Sequence, residues 1–137
     1  MKITVQSGTA TPVVLGDDEA EHFVSGYRPK RSQAFEVVRY PRAAAVAVLD
    51  RNNVVTQITF MVTRQHATQN AAVKFQLEHL AKVPTNGLVT IEHKTNGVVV
   101  RQYLKGAEVE VECQDMTGVS TSWVYTLTGG TLNDKPV

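Results

Sequence analysis

The chain lacks the residue patterns that catalysis or metal binding would need. It has one cysteine, Cys113, so it can form neither an internal disulfide nor a cysteine-rich zinc site. Its four histidines, His22, His66, His79 and His93, show no metal-ligand spacing, and we expect surface or boundary positions for them. No nucleophile elbow or phosphate-binding glycine loop is present. The sequence therefore predicts a non-enzymatic protein with no cofactor and no metal.

Long apolar runs are also missing. No stretch approaches the ~20 apolar residues that span a bilayer, and the N-terminal segment lacks the apolar core of a secretory signal. Hydrophobic residues make up 42% of the chain and charged residues 20%, which is typical of a folded globular protein. A chain of 137 residues suits one core, so we expect a single domain over residues 1–137 and no membrane partner.

The second half of the sequence has the pattern of antiparallel hairpins. Asn96-Gly97 predicts a type I′ turn, because both central residues of that turn need positive φ. Lys105-Gly106 predicts a further turn after the strand from Val98 to Leu104. In the last strand, Ser120 to Thr128, alternation places Trp123, Tyr125 and Leu127 on one face, which favours a core position for them.

One segment has the period of an amphipathic helix, from Asn70 to Ala81, with Thr68 or Asn70 as its cap. Its apolar positions follow the i, i+4, i+7, i+8 spacing of a single face: Val73, Leu77, Leu80 and Ala81. The predicted fold is therefore mainly β, a β-sandwich or barrel of antiparallel hairpins with one packed α-helix.

The first half is less regular. Ile3 to Gln6 and Thr11 to Leu15 predict a short hairpin. The polar stretch from Gly16 to Ser32 predicts a long loop with a helical turn at Asp18 to Phe23. A strand around Phe35 is expected to end at Pro41, and a long hairpin from Ala43 to Arg64 is expected to turn at Asp50 to Asn53.

The net charge is only +1, but the charges are grouped along the chain. Residues 28–51 sum to +4 and contain the cluster Arg28, Lys30 and Arg31, whereas residues 106–137 sum to −4 and contain Glu108, Glu110 and Glu112. Such patches suit self-association, although pairing within the fold or plain solvation explains them equally well. The pI near 7.9 and the single aromatic beside the basic cluster argue against sequence-specific nucleic-acid binding.

The three glutamates are the densest carboxylate set. Alternation puts Glu108, Glu110 and Glu112 on one strand face, about 6.5 to 7 Å apart in succession. We interpret this face as solvated or facing a partner; a hard-cation site and acid–base chemistry are the weaker alternatives. Cys113 lies on the opposite face with Val109 and Val111, and we expect a buried, inert thiol.

The organisation of the second half resembles a known group of proteins. The helix from Asn70 to Ala81, its exit through Pro84-Thr85-Asn86-Gly87 and the closing strand from Gly118 to Gly130 resemble small β-sandwich proteins of bacteriophage tails and phage-derived contractile particles, of the tail-tube or tail-completion type.

The resemblance implies a virion structural protein that is assembled in the bacterial cytoplasm. Its partners would be further copies of itself, in a ring or stacked rings forming a tube, and other tail proteins, with DNA passing through the lumen. We expect the Ala43 to Arg64 hairpin, through Gln57, Thr59 and Met61, to make lateral contacts and the Asp17 to Arg31 loop to make contacts between layers. The three glutamates would face the lumen or a basic neighbour.

A different class of function fits one further feature. If Trp123, Tyr125 and Tyr103 were exposed, they would form a platform for a sugar or a peptide, as in a small ligand-binding or adhesive β-sandwich module. The burial of Trp123 distinguishes this alternative from a core role.

Overall fold

The computed structural model describes residues 1–39 and 46–136, and describes side chains over residues 1–32 and 55–136. The described chain is mainly β and antiparallel, with one α-helix, as the sequence predicts. Its elements are β1 (Lys2–Gln6), β2 (Val13–Asp17), a 3-10 turn (Asp18–Ala20), β3 (His22–Arg39), β4 (Val46–Gln65), α1 (Gln69–Lys82), β5 (Asn86–Thr95), β6 (Val98–Thr117), β7 (Ser120–Gly129) and β8 (Leu132–Asn133).

The strands curl into a barrel in the order β5-β1-β2-β3-β4-β7-β6, and β6 pairs back to β5. The predicted first hairpin is confirmed as the β1–β2 pair, and the predicted Asn96-Gly97 turn joins β5 to β6 with positive φ at both residues. Within the described residues, one pairing around the barrel is far shorter than the others. β2 and β3 share a single backbone pair, Asp17 with His22, which we call the seam.

Strand β6 belongs to both halves of the barrel. Its first part pairs with β5 and its second part, from Glu108 on, pairs with β7. The predicted turn at Lys105-Gly106 is wrong, because this position is a bulge inside one continuous strand. Gly106 has φ +62°, a left-handed value that lets the strand bend from its pairing with β5 to its pairing with β7 without ending.

Strand β3 replaces most of the loop predicted from Gly16 to Ser32, and the predicted helical turn is only the short 3-10 turn. The residues of β3 pair with β4 from His22 onward. Between Ser25 and Arg28 the strand carries one extra residue opposite Phe60, with Gly26 at φ +63°. This bulge breaks the period of two, so the alternation that would indicate a strand is hidden in the sequence.

The long hairpin is also different from the predicted one. The two predicted arms belong to one strand: Asp50 to Asn53, predicted as a turn, lie within β4, which forms its hairpin with β3. The backbone register shifts beside them, between Ala34 and Phe35 of β3. The expected strand end at Pro41 and the alanines Ala43 to Ala45 lie outside the described residues.

The core lies between the two halves of the barrel. The predicted buried face of β7 is confirmed, since Trp123, Tyr125 and Leu127 are all fully buried. Apolar side chains from β1, β2, β4, β5 and β6 complete this core: Ile3, Val5, Leu15, Ile58, Phe60, Val62, Val89, Ile91, Leu104 and Ala107. Because Trp123 and Tyr125 are inside, the proposed aromatic platform for a sugar or peptide is not formed.

Helix α1 is confirmed, and Thr68 is its cap, with its hydroxyl accepting a hydrogen bond from the backbone N–H of Ala71 at 3.1 Å. Its orientation differs from the prediction. The stripe of Val73, Leu77 and Leu80 is exposed, with 69% of Leu77 open to solvent. The helix instead packs through Ala72 and His79, both buried, and through the half-buried Phe75.

Candidate assembly surface

One face of the sheet formed by β3, β4, β7 and the second part of β6 points away from the core. Because side chains alternate along a strand, the buried Ile58, Phe60 and Val62 define the core side of β4. Their neighbours Gln57, Thr59 and Met61 therefore lie on the opposite side, which we call the outer face.

Backbone pairing aligns the residues of the outer face in rows across the four strands. One row runs Lys30, Gln57, Thr128, Glu108, and the next runs Arg28, Thr59, Thr126, Glu110. A third row ends in Val124 and Glu112. Eight of the nine predicted interface residues are therefore brought to a single face: Arg28, Lys30, Gln57, Thr59, Met61, Glu108, Glu110 and Glu112.

The charges of this face are separated by sign. Arg28 and Lys30 are exposed on β3 and form a basic margin, while the exposed Glu108, Glu110 and Glu112 on β6 form an acidic margin. Three strand spacings, about 14 Å in all, separate the margins. Among the described residues no ion pair involves any of these five side chains. The face is thus polarised from one edge to the other.

Arg31 does not share the outer face with the other two basic residues. It pairs with the buried Thr56 of β4, so its side chain is on the core side of the sheet. The side chain is nevertheless exposed, because this part of β3 extends past the end of the core. The bulge at Gly26 sets this arrangement, because it keeps Arg28 on the same face as Ser25 despite their odd separation.

The acidic residues near the N-terminus form contacts within the chain. Asp18 accepts from the N-terminal amino group of Met1 at 2.8 Å, and Glu19 pairs with Lys94 at 2.7 Å. Asp18 Oδ1 also accepts a hydrogen bond from the backbone N–H of Val24. Pairing inside the fold, left open from the sequence, therefore accounts for these charges, and the predicted Asp17 to Arg31 loop does not exist as a loop.

The basic margin lies along a free strand edge, and so does the part of the acidic margin from Glu110 onward. Beyond Ser25, β3 has a strand partner on one side only, which is β4. From Glu110 to Thr117, β6 pairs only with β7, whereas Glu108 still pairs with Asn86 of β5. Within the described residues, each edge therefore presents backbone N–H and C=O groups without a strand partner.

The middle of the outer face is shallow and moderately polar. Val124, Thr126 and Thr128 of β7 are half-buried between the margins. Two open depressions flank Val124, one reaching Glu110 and Glu112 and the other reaching Arg28 and Met61. Neither encloses a small molecule as a binding pocket does, so this face suits contact with another flat surface.

Behind the sheet lies a buried polar cluster around Arg64, which the sequence did not reveal. Arg64 occupies a core-facing position of β4 and is 3% exposed. Its Nη2 donates to the carbonyls of Val14 at 3.2 Å and Leu15 at 2.6 Å, and its guanidinium lies over the Phe75 ring at 4.9 Å. An arginine in the apolar series Ile58, Phe60, Val62 is the signal that could have indicated it.

Three of the four histidines surround this arginine. His79 is buried, contrary to the surface or boundary position predicted for it, and its Nε2 lies 2.6 Å from the Tyr125 hydroxyl. His66 Nε2 lies 2.8 Å from the Thr121 hydroxyl, and His22 Nδ1 lies 3.0 Å from Arg64 Nη1. Burial, followed by the Arg64 charge, lowers the pKa of His79 to about 4 and also lowers the pKa of His22 and His66.

The remaining candidate residues show little sign of reactivity. Cys113 is half-buried, not fully buried as predicted, and burial raises the pKa of its thiol, which disfavours the reactive thiolate. Over the described ranges, no group of three or more histidine, cysteine or acidic side chains is placed to hold a metal ion. In the same residues no helix has the length and apolar character needed to cross a membrane.

No protein-family model matches this chain, and no curated protein or solved structure shows detectable similarity to it. The polarised outer face and its two free edges are therefore the features from which a function can be inferred.

Proposed function

We propose that this protein is a non-enzymatic structural subunit of a bacteriophage or phage-like tail, which self-assembles into a ring or tube by joining the basic margin of one copy to the acidic margin of the next. One observation carries the proposal. Two free strand edges of opposite charge bound a single antiparallel sheet.

The strand directions suit such a junction. Neighbours in the sheet are antiparallel throughout, so β3 and β7 run one way and β4 and β6 run the other. Placing β3 of one copy beside β6 of the next continues the antiparallel order without reversing the subunit. The contact joins two different edges and repeats with every subunit in one orientation, which produces a ring when the rotation closes.

The energetics favour many weak contacts rather than one strong contact. An exposed ion pair contributes only about 0 to 1 kcal/mol and is screened by salt. Strand pairing adds main-chain hydrogen bonds at each junction, and the charges fix which edges meet. A closed ring repeats these contributions at every interface, so assembly is expected to be cooperative and to weaken as salt is raised.

The phage-tail part of the proposal depends on a second argument, which is that the organisation of the helix and the C-terminal strands resembles that of phage tail proteins. In such a particle the protein would act in the virion after assembly in the bacterial cytoplasm, with further copies and other tail proteins as partners. The outer face would run unbroken from one subunit to the next along one wall of the ring.

Particle mass tests the assembly directly. At micromolar concentration in low salt, the unmodified protein should be a multimer by mass photometry or analytical ultracentrifugation. Arg28→Glu with Lys30→Glu should reduce the mass to that of the single chain, because both margins then carry the same sign. Lys82→Glu with Lys135→Glu is the matched control, since it makes the same change in net charge at exposed positions outside β3 and β6.

Restoring the charge complementarity should restore the multimer. Adding Glu110→Lys and Glu112→Lys to the Arg28→Glu, Lys30→Glu chain exchanges the signs of the two margins. A monomeric unmodified protein, or charge-reversed and control chains of equal mass, would contradict the proposal.

A further inference from the structure

The seam between β2 and β3 is the weakest closure of the barrel. Only Asp17 and His22 pair across it, so β2 lacks a β3 partner along Val13 to Gly16. Arg64 compensates for part of this loss. From β4, its guanidinium reaches the carbonyls of Val14 and Leu15, which it binds at 3.2 and 2.6 Å.

His22 connects Arg64 to β3. Arg64 Nη1 lies 3.0 Å from His22 Nδ1. A guanidinium has only N–H donors and keeps its proton at any ordinary pH, so the bond exists only when Nδ1 is an unprotonated acceptor. The proton of neutral His22 must then be on Nε2.

We propose that Arg64 and His22 form a protonation-controlled clamp, which holds the seam closed while His22 is neutral and releases it when His22 gains a proton. Protonation removes the acceptor and places a second positive charge beside a buried guanidinium. Both effects act on the same contact, so one proton is enough to break it.

The groups around His22 favour its neutral form. Burial is the largest cause of the lowered pKa of His22, and the Arg64 charge on β4 is the second. Asp17 on β2 raises this pKa, and His66 lowers it slightly. His79 of α1 and Tyr125 of β7 complete the surroundings and bond to each other. The Asp18 carboxylate is engaged by the Met1 amino group and by the Val24 N–H.

The clamp does not depend on the proposed assembly. It concerns hydrogen bonds inside one chain, and it can be measured in the monomeric Arg28→Glu, Lys30→Glu protein as well as in the unmodified protein. Failure of the clamp would leave the assembly proposal unaffected, and failure of assembly would leave the clamp testable.

Hydrogen exchange across a pH series provides the test. After correction for the intrinsic pH dependence of exchange, the amides of Val13 to Asp17 should open about tenfold more readily at pH 5 than at pH 7.5, the fold-change equivalent to one hydrogen bond from a charged donor. The amides of β7 report global unfolding and follow the separate titration of His79, so their pH dependence should be the same in His22→Asn as in the unmodified protein. The transition should follow the titration of His22 seen in its ring proton NMR signal.

Two substitutions separate the clamp from general acid sensitivity. His22→Asn keeps an amide acceptor near the Nδ1 position but cannot titrate, so it should remove the pH dependence at β2. His93→Asn, a half-buried histidine bonded to Gln102 outside the cluster, should leave that dependence unchanged. Equal seam protection at both pH values in the unmodified protein, or a pH dependence that persists in His22→Asn, would overturn the clamp. If His22→Asn does not fold, a seam transition that does not follow the His22 signal overturns it instead.

Discussion

Strand β7 and helix α1 both have the sequence pattern of an amphipathic element, yet only β7 buries its apolar set. In β7, Trp123, Tyr125 and Leu127 are fully buried, as alternation predicts. In α1, Leu77 and Leu80 are exposed, and His79 and Ala72 are buried in their place. The two elements pack against each other, so the difference lies in what each one contacts.

The cause of the difference is the buried arginine. A guanidinium inside a core is stabilised by carbonyl oxygens and aromatic faces, neither of which a leucine side chain supplies. Phe75 stacks on His79, and both rings contact Trp123 edge-on. The helix therefore turns its aromatic side toward Arg64. The spacing of apolar residues shows that a helix has two distinct faces. A buried charge in the neighbouring strand can decide which of these faces packs against the core.

Trp123→Ala should have the largest effect on stability. This side chain is fully buried against Phe75 and His79, and truncations of this kind cost about 3–5 kcal/mol. Urea unfolding followed by far-ultraviolet circular dichroism measures the change, since the chain's only tryptophan is lost as a fluorescence probe. A cost under about 1 kcal/mol would mean that the helix and β7 do not share a core.

The pH dependence of stability should have an intermediate effect. His79 has a folded-state pKa of about 4 against an ordinary value of 6.5, so the unfolded chain binds more protons between these values. Stability is then fully present above pH 6.5 and falls as the pH is lowered, by about 2–3 kcal/mol at pH 4.5.

The variant His79→Phe isolates this contribution. It keeps a ring against Phe75 and Trp123 but leaves the Tyr125 hydroxyl without its partner, so it should cost about 1–3 kcal/mol at pH 7.5. Between pH 6.5 and 4.5 its stability should fall by less than that of the unmodified protein, because the His79 contribution is removed while those of His22 and His66 remain. Urea unfolding at the two pH values measures this change. If the free energy of unfolding falls equally in His79→Phe and in the unmodified protein, the proton uptake occurs at other groups.

Leu77→Ala should have the smallest effect. With 69% of this side chain exposed, truncation should change the free energy of unfolding by less than about 0.5 kcal/mol. Thermal or urea unfolding, carried out in the monomeric Arg28→Glu, Lys30→Glu protein with and without Leu77→Ala, checks this value. A loss comparable with that of Trp123→Ala would show that the helix is oriented as its apolar spacing predicts.

The parts of the fold that could be predicted are those fixed by local pattern. The β7 alternation, the Thr68 cap and the Asn96-Gly97 turn each depend on neighbouring residues. The errors at β3 and β6 have one physical origin, because a glycine bulge shifts the alternation by one residue. Gly26 made a strand resemble a loop, and Gly106 made one strand resemble two.

The candidate surface was predicted residue by residue but not as a surface. Arg28, Thr59 and Glu110 are far apart in sequence, and only the order β3-β4-β7-β6 brings them into one row. That order depends on pairings between distant segments, which local periodicity does not encode. The role of these residues as an interface stays a prediction.

Mixing two oppositely modified chains tests the central claim most directly. Arg28→Glu with Lys30→Glu makes both margins acidic. Glu110→Lys with Glu112→Lys makes both margins basic, since two lysines then outweigh Glu108. Each chain alone should remain monomeric in mass photometry. An equimolar mixture should form multimers of alternating composition, because every junction then joins opposite charges between chains. A mixture that stays monomeric while the unmodified protein assembles would contradict the joining of the basic margin to the acidic margin.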